Sequence, residues 1–160
     1  VRLVLTAVGR LKAGPERQLC ARYIERAAAV ARTVGLAGVD LREFDESRAR
    51  RSEDRKAEEA KALRAAVPAG ARVVLCDERG RSLTSEAFAT EIGRSRDAGL
   101  PALVLAIGGP DGHDRGLLAE APLTLAFGAM TWPHQLVRIM AAEQIYRALT
   151  ILAGHPYHRA

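Results

Sequence analysis

The chain has no apolar run approaching the length needed to span a bilayer, which excludes a membrane-spanning helix. Its opening stretch, Val1 to Gly9, lacks the charged start, apolar centre and small-residue cleavage site of a secretory signal, so a cytoplasmic location is expected. Cysteine is scarce: Cys20 and Cys76 stand far apart, in a predicted helix and a predicted strand. Two isolated cysteines read as buried small apolar residues rather than a bridge or a metal site. No glycine-rich segment is followed by Gly-Lys-Ser/Thr, which argues against a phosphate loop, and Gly9 to Gly14 does not match the dinucleotide fingerprint. Ser-His-Asp spacing and paired carboxylates are also missing. These gaps weigh against a nucleotide-binding hydrolase. Internal repeats, linkers and low-complexity tracts are absent as well.

What is present fits one globular domain over residues 1–160, long enough to bury a core without disulfides or metal. Apolar residues make up 48 % and charged residues 27 %, a balance that separates it from disordered chains. The net charge of +5 suits an anionic partner such as nucleic acid, and equally a basic protein with no polyanion to bind.

Hydrophobic periodicity predicts five strands, at Arg2 to Val8, Val39 to Phe44, Arg72 to Cys76, Ala102 to Ile107 and Leu123 to Phe127. Helices are predicted between them and after the last. One is opened by Gly14-Pro15 and stopped near Gly35; another is capped by Ser52 and runs to about Val67. A third is capped by Thr84, with Phe88 and Ile92 facing inward. A short one spans Arg115 to Ala121, and a long one runs from Pro133 to about Leu152. Strict βα alternation implies a mostly parallel α/β sheet with helices on both faces. Asp77 to Gly80 reads as a turn.

Ligands of such sheets bind outside the carboxyl ends of the strands. The loops after Cys76, Ile107 and Phe127 lie there, and two begin with glycine, which admits a ligand close to the backbone. Gly108-Gly109-Pro110-Asp111-Gly112 on its own is also an ordinary turn. Arg48, Arg50, Arg51, Arg55 and Lys56 form a basic cluster that suits a solvated face better than a binding patch. Glu143 and Arg147 have the order and spacing of a helical ion pair. The final helix carries a wide apolar face, fit either for full burial or for packing on both the sheet and a second subunit. The tail His155-Pro156-Tyr157-His158-Arg159 is a weak metal site. It fits a frayed terminus, or a hydrogen-bonding and stacking cluster for RNA.

Four stretches together resemble a known family: Ala7 to Lys12, Ile107 to Gly112, Met130-Thr131-Trp132-Pro133-His134-Gln135-Leu136-Val137-Arg138, and His155 to Arg159. The chain resembles, over its whole length, the bacterial ribosomal RNA large subunit methyltransferase H family, a branch of the SPOUT methyltransferases. The resemblance implies a single-domain SPOUT fold with a C-terminal trefoil knot, which no periodicity could reveal. It implies a homodimer that binds S-adenosylmethionine, uses no metal or membrane, and methylates N3 of a pseudouridine in 23S rRNA, on assembled ribosomes. Carried over by position, the cofactor contacts are Cys76, Gly109 and Gly128, Ala129, Met130, Thr131, Trp132 and Pro133, with Leu75 and Gly108 beside them. A side chain at Gly109 is expected to fill the cofactor's space. Relatives usually place a larger aliphatic residue where Cys76 stands. His155, Tyr157, His158 and Arg159 are the implied substrate-side residues, with His155 or His158 as base and the tail completing the partner subunit's site. The competing expectation is a non-catalytic RNA-binding or ribosome-assembly protein using the same basic surface.

Overall fold

The computed structural model describes residues 1–159 and follows the alternating order closely. The elements are β1 (Arg2–Val8), α1 (Pro15–Ala31), β2 (Gly38–Phe44), α2 (Ser52–Ala66), β3 (Arg72–Ser82), α3 (Ser85–Asp97), β4 (Ala102–Ile107), α4 (Arg115–Glu120), β5 (Leu123–Ala126) and α5 (His134–Leu152). The five strands form one parallel sheet in the order β2-β1-β4-β3-β5. β4 lies at the centre, and all six of its side chains are buried, which is why it reads as an unbroken apolar run.

Alternation along the strands divides the core in two. Leu3, Leu5, Val74, Leu103 and Leu105 face α1, α3 and α5, whose Cys20, Ala27, Ile92, Ala142, Ile145 and Leu149 complete the larger core. Leu75 and Ala106 face the other way, onto Ala60 and Leu63 of α2 and Leu117 of α4. Both cysteines are free and buried, as their isolation in the sequence implied.

Three local expectations need correction. Ser52 is the first residue of α2 rather than its cap; Arg51 holds the cap position, with no side-chain bond. Pro133, expected to open α5, stands just before it as the cap residue. β3 does not stop at Cys76. After Cys76 pairs with Leu125, residues 77–80 leave the ladder, and Arg81 returns to pair with Leu125 again. This excursion demands Gly80: a Cβ there would lie 2.7–2.8 Å from the backbone of Thr124 and Leu125. The turn reading of Asp77 to Gly80 had the local chemistry right and missed the return to the same sheet.

Thr84 caps α3 as expected, accepting from the Ala87 N–H at 3.1 Å, and Asp114 caps α4. No described helix is long and apolar enough to cross a membrane.

Candidate cofactor site

Because every strand is parallel, the loops after β3, β4 and β5 gather at one edge of the sheet. Between them lies a cavity of about 340 Å³, within the range that encloses a small organic ligand. Its apolar wall includes Cys76, Ile107, Leu125, Phe127 and Val137; its glycines are Gly108, Gly109, Gly112 and Gly128. Carboxylates line it too, at Asp77, Glu78 and Asp111.

Each loop is held in place. Gly112 N–H donates to the Gly109 carbonyl at 2.9 Å, closing the turn after β4. Gly108 leaves little room for a side chain, since a Cβ would approach the Gly112 backbone at 3.1 Å and His113 Cε1 at 3.3 Å. His113 anchors this turn from beneath, with Nε2 3.2 Å from the Ala106 carbonyl. Burial pushes its pKa below the ordinary value, against the opposing pull of that hydrogen bond. Gly128 adopts φ +99°, a backbone conformation that side chains rarely take. Trp132 Nε1 donates to the Phe127 carbonyl at 3.2 Å, folding the loop after β5 back on itself. Asp77 accepts from the Arg79 N–H at 2.9 Å and from its guanidinium at 3.3 Å. Burial alone would raise the pKa of Asp77, but these bonds to Arg79 outweigh it and the net shift is downward. The Cys76 thiol is pushed up to about 12 by burial, so it is a neutral wall rather than a nucleophile.

The structure therefore brings Cys76, Gly108, Gly109, Gly128, Met130, Thr131 and Trp132 to one cavity. Leu75 does not line it: alternation turns its side chain to the α2 face, where it is fully buried. Ala129 and Pro133 belong to the loop but do not form the wall. The direction at Gly109 also differs from expectation. A Cβ there would point away from the cavity, to 3.0 Å from Glu59 Oε2 and 3.1 Å from Val8 Cγ1. A larger residue would press first on the Glu59 carboxylate and on Val8.

Several wall residues were not singled out from the sequence. Asp77, Glu78 and Arg79 fell in the loop after Cys76, one of the three expected at the ligand-binding edge, but individually read only as a turn. His134 lines the cavity, and its buried Nδ1 has no hydrogen-bond partner. Arg138, one turn on, is 1 % exposed. Its Nη1 donates to Glu43 at 2.5 Å and its Nη2 to the carbonyl of Gly9 at 2.9 Å, tying α5 to the ends of β1 and β2.

The tail residues lie elsewhere. α5 spans roughly 27 Å at 1.5 Å per residue, and the tail follows its far end. Tyr157 turns back along the helix. Its hydroxyl donates to Glu143 at 3.0 Å, and its ring lies 4.6 Å from that of Tyr146 and 4.8 Å beneath the Arg147 guanidinium. Glu143 and Arg147 form the ion pair that their spacing predicted, at 2.6 Å. His158 Nε2 lies 2.7 Å from Glu86. His155 Nδ1 accepts from the Tyr157 N–H at 3.1 Å. The tail is docked rather than frayed, but not on the cavity of its own chain. Among the described residues no group of three or more His, Cys, Asp or Glu is placed to hold a metal ion.

Residues 1–158 match the family described as "Predicted SPOUT methyltransferase", which sets this knit of parallel strands and edge loops among the SPOUT methyltransferases. Similar curated proteins are named "Ribosomal RNA large subunit methyltransferase H". That of Methylocella silvestris is 58 % identical over 99 % of both chains. That of Xanthobacter autotrophicus is 58 % identical over 100 % of both, and that of Methylorubrum populi 59 % identical over 99 % of this chain and 97 % of the relative. The chain belongs to the ribosomal RNA large subunit methyltransferase H family.

Proposed function

We propose that this protein transfers a methyl group from S-adenosylmethionine to N3 of a pseudouridine in 23S rRNA, acting as a cytoplasmic homodimer on assembled ribosomes. The observation that carries this reading is full-length identity of 58 % to relatives named for large-subunit rRNA methylation, in a chain whose edge loops form a matching cavity. The cavity fits the cofactor: it offers an apolar slot, glycine backbone for hydrogen bonds, and carboxylates suited to a sulfonium and an ammonium. Cys76, Gly108, Gly109, Gly128 and Met130 to Trp132 would hold it.

When bound, the cofactor supplies an already activated methyl group. The chain's own task is alignment, exclusion of water, and removal of the imino proton. His155 or His158 serves as base, and Tyr157 and Arg159 hold the nucleoside or its phosphate. The position of the tail at the far end of α5 supports a site completed by the tail of a second subunit. Exposed apolar side chains at Met130 and Trp132, which line the cavity, and at Leu136 in the first turn of α5 support a subunit contact near it. Membership of the family supports a trefoil knot in the C-terminal half. Two subunits at +5 each give about +10, enough for non-specific attraction to phosphates but not for choosing one nucleotide. Selection then depends on shape presented by folded RNA within the ribosome.

The test has two parts. Calorimetry should show that the purified protein binds S-adenosylmethionine. Labelled methyl transfer should be fast on ribosomes lacking the modification and slow on naked RNA. Binding of RNA without any cofactor binding would favour the ribosome-assembly reading instead. Equal rates on ribosomes and naked RNA would overturn the ribosome requirement.

A further inference from the structure

Two side chains one turn apart on α2 each touch the same two loops. Arg55 Nε and Nη2 donate to the two carboxylate oxygens of Asp111, at 2.6 and 3.0 Å. Its Nη1 donates to the carbonyls of Ala49 and Arg50, at 3.1 and 2.9 Å. Glu59 repeats the connection: Oε1 accepts from the Ser47 N–H at 3.0 Å, while Oε2 is buried without a partner against Gly109. Gly109 and Asp111 belong to the cavity loop. Ser47, Ala49 and Arg50 belong to the loop between β2 and α2, whose Arg48, Arg50 and Arg51 side chains are exposed. Arg55 is thus not one more solvated cation of the basic cluster. Its planar fork spans the gap between the cavity and the exposed arginines, and fixes the geometry of one loop against the other.

We propose that Arg55 is a positioning residue that couples the cofactor loop, residues 108–112, to a phosphate-binding loop, residues 45–51, so that cofactor and RNA each tighten the binding of the other. The proposal rests on the methyltransferase reading above. Its physical basis is shared ordering. A ligand that immobilises Asp111 also immobilises the carbonyls of Ala49 and Arg50, and Arg48, Arg50 and Arg51 then lose less freedom on meeting phosphate. Coupling of this kind is reciprocal.

The experiment measures S-adenosylhomocysteine affinity of the full-length protein by calorimetry, alone and with saturating large-subunit rRNA at one fixed low salt concentration. Wild type should bind it roughly fivefold or more tightly with RNA present. Arg55→Ala should bring that ratio to about one, with binary affinity changed by no more than roughly threefold. Arg55→Lys keeps the charge and loses the fork, so it should fail to restore the ratio. Asp111→Asn removes the charge and one of the two acceptor oxygens, so it breaks the paired contact from the other side and should collapse the ratio too, which guards against a folding defect peculiar to one variant. A wild-type ratio of one, a ratio preserved in Arg55→Ala or Asp111→Asn, or rescue by lysine would each overturn the coupling. A wild type that binds no S-adenosylhomocysteine would overturn the proposed function itself, and the coupling with it.

Discussion

His113 shows how a single buried group can make the cavity loop sensitive to pH. It packs beneath Gly108, and burial holds its pKa below the ordinary 6.5. A group whose folded pKa is depressed binds protons more readily when unfolded. Its cost to stability is therefore absent well above pH 6.5 and grows as pH falls below that value toward the folded pKa. Denaturant midpoints should drop between pH 7.5 and 5.5, and the drop should shrink in His113→Gln. Equal slopes in the two proteins would remove His113 from the explanation. At this scale the sequence was a partial guide. The isolation of Cys76 implied a buried thiol, and burial is what raises its pKa. His113 gave no signal, because its burial depends on a turn that brings it back beneath the strand it follows.

At the scale of elements, α5 is the piece on which the others depend. Its Ala142, Ile145, Ala148 and Leu149 close the larger core, and its Arg138 reaches across to β1 and β2. Burial lowers the Arg138 pKa, and Glu43 partly restores it. Glu43 also accepts from the Leu11 N–H at 2.8 Å, so one carboxylate organises both the loop after β1 and the start of α5. Arg138→Met should cost about 3 kcal/mol, the lower end for a broken buried pair, because Glu43 keeps 20 % of its side-chain surface in water. Removing both charges, as in Arg138→Met with Glu43→Leu, should cost less than the sum of the two single changes. Urea unfolding at one fixed protein concentration checks this, and strict additivity would mean the pair is not coupled. The sequence placed Arg138 in a helix and Glu43 in a strand without hint of their meeting. Their contact joins residues 95 positions apart.

Across the whole molecule the cavity and the tail lie apart: the cavity at the start of α5, the docked tail beyond its other end. One chain cannot bring them together without dismantling Tyr157's seat on Tyr146 and Glu143. The expected outcome of deleting residues 154–160 is a folded protein that binds cofactor with little change and transfers almost no methyl. Mixing that truncated chain with a full-length Gly128→Val chain should restore about a quarter of wild-type activity. Random exchange in a two-fold dimer makes half the pairs mixed, each with one complete site. Light scattering should find a dimer at micromolar concentration. Failure of the mixture to recover any activity, with exchange verified, would place the tail's action within its own chain.

The order of elements, the parallel sheet, the buried central strand and the glycine-bearing edge loops were all determined by local pattern. Periods of two and of 3.6 residues, caps and turn residues act over short stretches of chain, so sequence alone could carry them. The motifs near residues 107–112, 130–138 and 155–159 likewise marked the family. The tertiary structure decided what those motifs do together. It turned Leu75 away from the cavity, aimed Gly109 at Glu59, returned β3 to Leu125 after its excursion, and gave Arg55 two loops to hold. Each of these is a meeting of groups distant along the chain, set by which face a strand presents and which loop a helix crosses, and local pattern contains no record of such meetings.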